Sequence, residues 1–279
     1  MSDRFYLLPI VKNVGGKSWF REEAFSHYYN SCRARGVDMR WVDPFCGGLA
    51  VPLYILPNRA WMNDLNIYLV NFYNHIIKHG KMKDFSNDLN EETYYEMRSK
   101  FNENIKNGVV DGEEMAGIYY YLNKTCYGGL SRYNDSGFFN APYGKNNPVS
   151  MKTDFPIYQE VLADWKFSSL NYEDVLNNVN EDDFLFIDPP YHLTFNKYIK
   201  RAFNWDDQVK LVEILSKLSN PIVATNSYND DIINLYTSHG FSLRHRWRKN
   251  YLQQGRAGKV KSEKFKEAIF IKNVFIDEH

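Results

Sequence analysis

Cysteine is scarce in this chain: Cys32, Cys46 and Cys126 lie far apart, with no Cys-x-x-Cys pair. That spacing supports neither a disulfide framework nor a cysteine zinc site, so the three are expected to be free thiols. No apolar run approaches the roughly 18 residues that cross a bilayer. The first residues, MSDRFYLLPIVKN, lack the charged, apolar and small-residue succession of a secretory signal, and a cytoplasmic protein is expected. Histidines are scattered, and no His or carboxylate cluster has metal-ligand spacing, so no metal is expected. Internal repeats and low-complexity tracts are also missing. Net charge is zero, with 34 Lys and Arg against 34 Asp and Glu, which excludes a uniformly basic nucleic-acid coat.

The remaining composition is that of a soluble globular protein: 279 residues, 44 % hydrophobic and 24 % charged, enough for a large core or one domain with a sizeable insertion. Charge is neutral in sum but uneven in place. Between Arg244 and Lys266 stand nine Lys and Arg residues against the single acid Glu263. Such a run is either a solvated hairpin or one polyanion-facing side. Aromatics reach 16 %, including 21 tyrosines, which supplies both core and stacking surface.

Hydrophobic period and chain breakers give short apolar strands alternating with amphipathic helices, the pattern of a mostly parallel α/β sheet. Strands are expected near 39–43, 59–63, 166–170, 183–187, 221–225, 241–248 and 266–272, and helices over 65–79 and 93–125. Residues 126–150 are rich in Gly, Asn, Ser and Pro, so a long hairpin or loop is expected there. The stretch between the second and third strands reads as a second, smaller domain, giving a catalytic domain of residues 1–79 and 156–279 and an insertion of residues 80–155.

Three strand ends carry chemistry. The first strand runs into Asp43-Pro44-Phe45-Cys46-Gly47-Gly48, a glycine turn that lets a ligand approach the backbone. About twenty residues on, the next strand ends in Asp64, placed to accept hydrogen bonds from both hydroxyls of a ribose. The dinucleotide fingerprint Gly-x-Gly-x-x-Gly is absent, so the pair suggests a nucleoside ligand without suggesting NAD. Gly15-Gly16-Lys17-Ser18 imitates the end of a phosphate-binding loop, but Val11 stands where that loop needs glycine, which excludes an NTPase. Finally, Phe184-Leu185-Phe186-Ile187-Asp188-Pro189-Pro190-Tyr191 is a buried strand stopped by two prolines that hold a carboxylate and a phenol just beyond its tip. Cys46 sits in the glycine turn and is expected to be structural; His192 is expected to shape the pocket mouth.

The order of these pieces resembles the D12 class of DNA adenine N6-methyltransferases, the group with α motif order that includes the Dam family. The resemblance spans nearly the whole chain and is sharpest in Leu122-Asn123-Lys124-Thr125-Cys126-Tyr127-Gly128-Gly129-Leu130-Ser131-Arg132-Tyr133-Asn134 and Gly137-Phe138-Phe139-Asn140-Ala141-Pro142-Tyr143-Gly144, which look like the family's DNA-recognition hairpin. It implies a Rossmann-like sheet that binds S-adenosylmethionine, with an inserted, mainly helical recognition domain carrying a β-hairpin. It implies catalysis by Asp188, Pro189, Pro190 and Tyr191 on a flipped-out adenine. Cofactor binding falls to Asn13, Gly16, Lys17, Asp43, Phe45, Gly47, Asp64 and Asp188. Contact with double-stranded DNA falls to Tyr127, Leu130, Arg132, Tyr133, Asn134 and Pro142, with Lys259 and Lys261 meeting phosphates. A short palindrome such as GATC is the expected site, with or without a companion restriction endonuclease. Three positions depart from the family pattern: Asn13 replaces an aromatic, Leu49 follows Gly48 where a glycine is usual, and Gly128 replaces a frequent asparagine. The residues also leave open a methyltransferase acting on RNA or a protein amide, and a non-catalytic DNA-binding specificity protein.

Overall fold

The computed structural model describes residues 5–13, 15–85, 89–145, 151–191, 203–251 and 262–274. Seven strands form one sheet: β1 (Arg40–Asp43), β2 (Ala60–Asn63), β3 (Trp165–Ser168), β4 (Asp183–Ile187), β5 (Ile222–Ser227), β6 (Ser242–Tyr251) and β7 (Ser262–Lys272), in the order β3-β2-β1-β4-β5-β7-β6. The five strands from β3 to β5 are parallel, whereas β7 pairs antiparallel with both β5 and β6. All seven strands fall where the hydrophobic pattern puts them. The last two are longer than expected and form an antiparallel hairpin on an otherwise parallel sheet.

Strict alternation sorts the strand residues between two layers. Trp41, Phe184, Phe186, Val223, Ile269 and Ile271 enter one core with Phe20 and with helices α1 (Arg21–Arg35), α2 (Pro52–Ile55) and α3 (Ile67–His79). Val42, Leu185, Ile187, Ala224 and Phe270 enter the other, against α7 (Tyr172–Leu176), α8 (Trp205–Lys217) and α9 (Asp230–Ser238). Because β4 is buried on both faces, it reads as an unbroken apolar run.

The segment expected as one helix over 93–125 is two, α4 (Glu91–Lys106) and α5 (Glu113–Thr125). Gly108 at φ +76° and Gly112 at φ +94° turn the chain between them. Both helices share the α1 core through Tyr94, Phe101, Tyr120 and Tyr121, so this part of the chain has no separate apolar centre among the described residues. Helix α6 (Pro156–Leu162) returns the chain to β3. No helix among the described residues is long and apolar enough to cross a membrane.

Chain direction reverses at the middle of the sheet: β1 leads outward to β2 and β3, and the chain then returns to place β4 on β1's other side. Ligands of open α/β sheets bind at the carboxyl ends of strands at such a switch point. The two central strands are locked at their opposite ends by Arg40, whose Nε and Nη2 donate to the two carboxylate oxygens of Asp183 at 2.8 and 2.6 Å. Asp183 is buried and also accepts the Asn180 amide at 2.7 Å. Asp183→Ala strands that amide and the partly buried guanidinium, and a loss of about 3 kcal/mol is expected in urea unfolding; Asp183→Asn is expected to lose less, because it keeps an acceptor.

Candidate active site

The switch point holds a cavity of about 370 Å³ lined by the Gly15-Gly16-Lys17 turn, Asp43, the Phe45–Gly48 turn, Gly128 and Asp188. Each wall follows from local sequence. Pro189 and Pro190 end β4, and the buried Gln208 of α8 donates to the Pro190 carbonyl at 2.9 Å while its own carbonyl accepts from Asn226 at 3.1 Å. The DPPY backbone is thereby fixed from behind. Gly47 takes φ +47°, and a Cβ there would lie 2.1 Å from the Asn13 side chain, so Asn13 rests directly on the glycine turn.

Lys17 is buried at the centre of the site. Its ammonium donates to the Gly15 carbonyl at 2.7 Å, pairs with Asp188 Oδ2 at 2.8 Å, and lies 4.6 Å over the centroid of the Tyr191 ring. Thr225 Oγ1, from β5, donates to the other oxygen of Asp188 at 2.7 Å. Burial pushes the Asp188 carboxyl above the usual carboxylate range, and Lys17 and Thr225 only partly pull it back. Asp43 is pushed up further, by burial and then by the nearby charges of Asp188 and Asp64, against the Phe45 amide and Lys17. Burial also raises Asp64, whose oxygens accept the Asn66 amide at 2.9 Å and the Gly47 amide at 3.1 Å. Asp43 and Asp188 thus share the charge of Lys17.

Of the residues expected to hold a cofactor, Asn13, Gly16, Lys17, Asp43, Phe45, Gly47 and Asp188 all line this cavity, and Asp64 stands behind Gly47. The departure at Leu49 is one of residue, with backbone conformation kept: Leu49 is buried at φ +61°, the left-handed region a glycine would enter freely. An L side chain there costs roughly 1–2 kcal/mol.

The segment expected to contact DNA is an irregular hairpin, closed by bridges between Cys126 and Tyr143 and between Tyr133 and Phe139, with a 3-10 turn at Tyr127–Gly129. Tyr127, Arg132, Asn134 and Pro142 are exposed and Leu130 is half-buried. Arg132 is braced across the hairpin, donating from Nε and Nη2 to the side chain and backbone of Asn140 at 2.7 and 3.0 Å. The Asn134 carboxamide oxygen closes the tip turn by accepting from Ser136 and Phe138. Tyr133 lies apart from this surface: it is buried, stacked on Tyr68 and edge-on to Phe139. Gly128 lines the cavity, so the hairpin base and the cavity are contiguous.

Part of the basic stripe is occupied internally. Arg244 and Arg246 meet Glu23 of α1 at 3.9 and 2.8 Å, and Arg248 meets Glu267 at 2.7 Å. Burial would raise Glu23, but hydrogen bonds from His27 and Arg246 outweigh it and hold its carboxyl low. Lys259, Lys261 and His192 lie outside the described residues. Sequence reasoning missed Thr225, Gln208, Glu267 and Arg248; the one available signal was an acid in Lys266-Glu267-Ala268-Ile269-Phe270, at a position where alternation asks for an apolar residue.

The family model for the D12 class N6 adenine-specific DNA methyltransferase matches residues 14–252. The chain belongs to that family. Similar relatives include the type II methyltransferase M.MjaIII of Methanocaldococcus jannaschii, 30 % identical over 85 % of this chain and 89 % of that protein. The type II methyltransferase M.CviBI of Paramecium bursaria Chlorella virus NC1A is 28 % identical over 95 % of this chain and 99 % of its own length. The retron Ec67 DNA adenine methylase of Escherichia coli is 32 % identical over 81 % and 80 %. The protein is an adenine-specific DNA methyltransferase of the D12 class.

The electrostatics of this D12 site can be read directly. Asp188 should release its proton at a pH above the value of about 3.9 for an exposed aspartate, and carbon-detected NMR of the labelled carboxyl measures it. Lys17→Met and Thr225→Val each remove a group that favours the charged form, so each is expected to move the titration to higher pH. Between the unfolded and folded values the folded state keeps a proton that the unfolded chain has lost, so stability falls as pH rises through that window.

Proposed function

We propose that this methyltransferase transfers the methyl group of S-adenosylmethionine to the exocyclic amine of an adenine flipped out of a short duplex site. The observation that carries the donor assignment is the grouping of acceptors at the cavity. Asp43 and Asp188 line it together with Lys12 and Lys17, and Asp64 stands behind Gly47, so acceptors for an ammonium and for ribose hydroxyls gather at one glycine turn. Bound there, S-adenosylmethionine supplies an electrophilic methyl group on sulfur. Asp64 retains lone pairs for the two ribose hydroxyls, Gly47 allows close approach, and Phe45 offers an aromatic edge.

Adenine's amine is a weak nucleophile because its lone pair is delocalised into the ring. Asp188 and the Pro189 carbonyl accept its two protons, favouring a more tetrahedral nitrogen with its lone pair aimed at the methyl group, while Tyr191 stacks on the base. Lys17 now lies over that ring, so entry of the base exchanges an ammonium contact for base stacking. The flip costs a few kcal/mol, offset by stacking and pocket contacts.

Residues 80–155 are assigned as the DNA-recognition insertion and residues 1–79 and 156–279 as the catalytic part. The exposed, braced Arg132 supports this, its guanidinium held for two hydrogen bonds to guanine, worth about 1–3 kcal/mol of discrimination. A GATC-like palindrome and a restriction-modification setting complete the proposal; likeness to two type II methyltransferases favours the latter. Base-resolution sequencing of DNA from cells expressing the protein tests the site, and N6-methyladenine outside a GATC-like palindrome would overturn it.

Asp188→Ala is expected to keep cofactor affinity within a few-fold while lowering the single-turnover rate by several orders of magnitude, since it removes an interaction made at the transition state. A variant keeping a tenth of the rate would remove Asp188 from catalysis. Arg132→Ala is expected to weaken cognate duplex more than mismatched duplex; equal weakening in a binding titration would move base reading elsewhere.

A further inference from the structure

Glu267 is a carboxylate in an apolar row. Its neighbours on the same face of β7, Ile269 and Ile271, are buried core residues, and Glu267 itself is only 4 % exposed. Acids are almost never so buried unless paired, because the desolvation cost is several kcal/mol. Both of its oxygens are engaged. Oε2 accepts the Tyr191 hydroxyl at 2.7 Å, and Oε1 accepts Arg248 Nη1 at 2.7 Å. The Arg248 guanidinium lies 5.3 Å over the ring of Trp19, two residues beyond Lys17. Contacts therefore run from Lys17 to Tyr191, Glu267, Arg248 and Trp19, and back to the Lys17 turn. An ion pair serving only the β6–β7 hairpin would need no phenol from the DPPY segment.

We propose that Glu267, set by Arg248, is a positioning residue that holds the Tyr191 ring against the Asp188 crevice, and this rests on the reading of Tyr191 as the stacking surface for the target base. The phenol is tethered at its far end, so the ring keeps one staggered rotamer, and an entering base takes the place of the Lys17 ammonium over it. Without the tether, the ring explores alternatives, and an error of about 1 Å in a reacting geometry costs about 100-fold in rate.

The test is a double-mutant cycle on the full chain, with S-adenosylmethionine and duplex DNA bearing the mapped site, read by single-turnover methyl transfer, cofactor affinity and thermal melting. Glu267→Leu suits the apolar row and removes both polar contacts; Glu267→Gln keeps an acceptor for the phenol. A 10- to 100-fold slower rate is expected for Glu267→Leu, with a smaller loss for Glu267→Gln and cofactor affinity within twofold. In the Tyr191→Phe background, neither Glu267 variant should slow the enzyme further. A wild-type rate for Glu267→Leu, or losses that multiply in the double variant, would overturn the proposal. If the leucine variant fails to fold, the same cycle with Glu267→Gln decides. Tyr191→Ala separates the two levels: if it is fully active, the stacking role itself is wrong. If it is inactive while the Glu267 variants match wild type, only the positioning role falls.

Discussion

One buried contact organises this molecule: the Lys17 ammonium against the Asp188 carboxylate, 2.8 Å apart at the point where the sheet reverses direction. Each partner alone would be an unpaired charge in a poorly solvated crevice. Keeping them together requires β4 to stop where its prolines stop it and the N-terminal turn to fold over the strand tips through a left-handed glycine. It also requires β5 to deliver a hydroxyl from the side. Burial and then the like charge of Glu267 raise the Asp188 carboxyl, and Lys17 with Thr225 draws it back in part.

Most of the architecture was legible in the sequence because it rests on local signals. Four-to-six-residue apolar runs bounded by turn residues are strands, and the β4 run ending in Asp-Pro-Pro-Tyr marks both a central strand and its ligand end. Helix α1 had no readable stripe, since polar His27 and Ser31 share its buried face with Ala24 and Tyr28. The break between α4 and α5 was hidden inside a continuously helical composition. Glu267 and Thr225 were invisible for another reason. They meet Tyr191 and Asp188 across sequence separations of 76 and 37 residues, through a strand order that no local pattern encodes. Leu49 shows the converse: the backbone adopts the conformation of a glycine although the residue has changed.

Charge along the chain also proved to be divided labour. The basic run could be a solvated hairpin or a polyanion-facing side, and three of its arginines, Arg244, Arg246 and Arg248, pair with Glu23 and Glu267. They tie the antiparallel hairpin to α1 and to the site. Within the Tyr127–Tyr143 hairpin, too, some residues build and others protrude: Tyr133 and Phe139 form a small aromatic wall, while Arg132 and Tyr127 stand outside it.

Near the cavity the buried Asn123 of α5 behaves like a piece of sheet: its carboxamide accepts the Lys12 amide and donates to the Lys12 carbonyl, each at 2.8 Å. The Lys12 side chain then lies where a Cβ on Gly129 would stand, 2.4 Å away. This clasp sits five residues before Lys17 on one side and four before Tyr127 on the other. A helix is thus joined by two hydrogen bonds to an irregular segment of chain, with Asn123 as the joint. The segment that leads into the Lys17 turn and the base of the hairpin are thereby held in one fixed register, so neither can shift without breaking both hydrogen bonds.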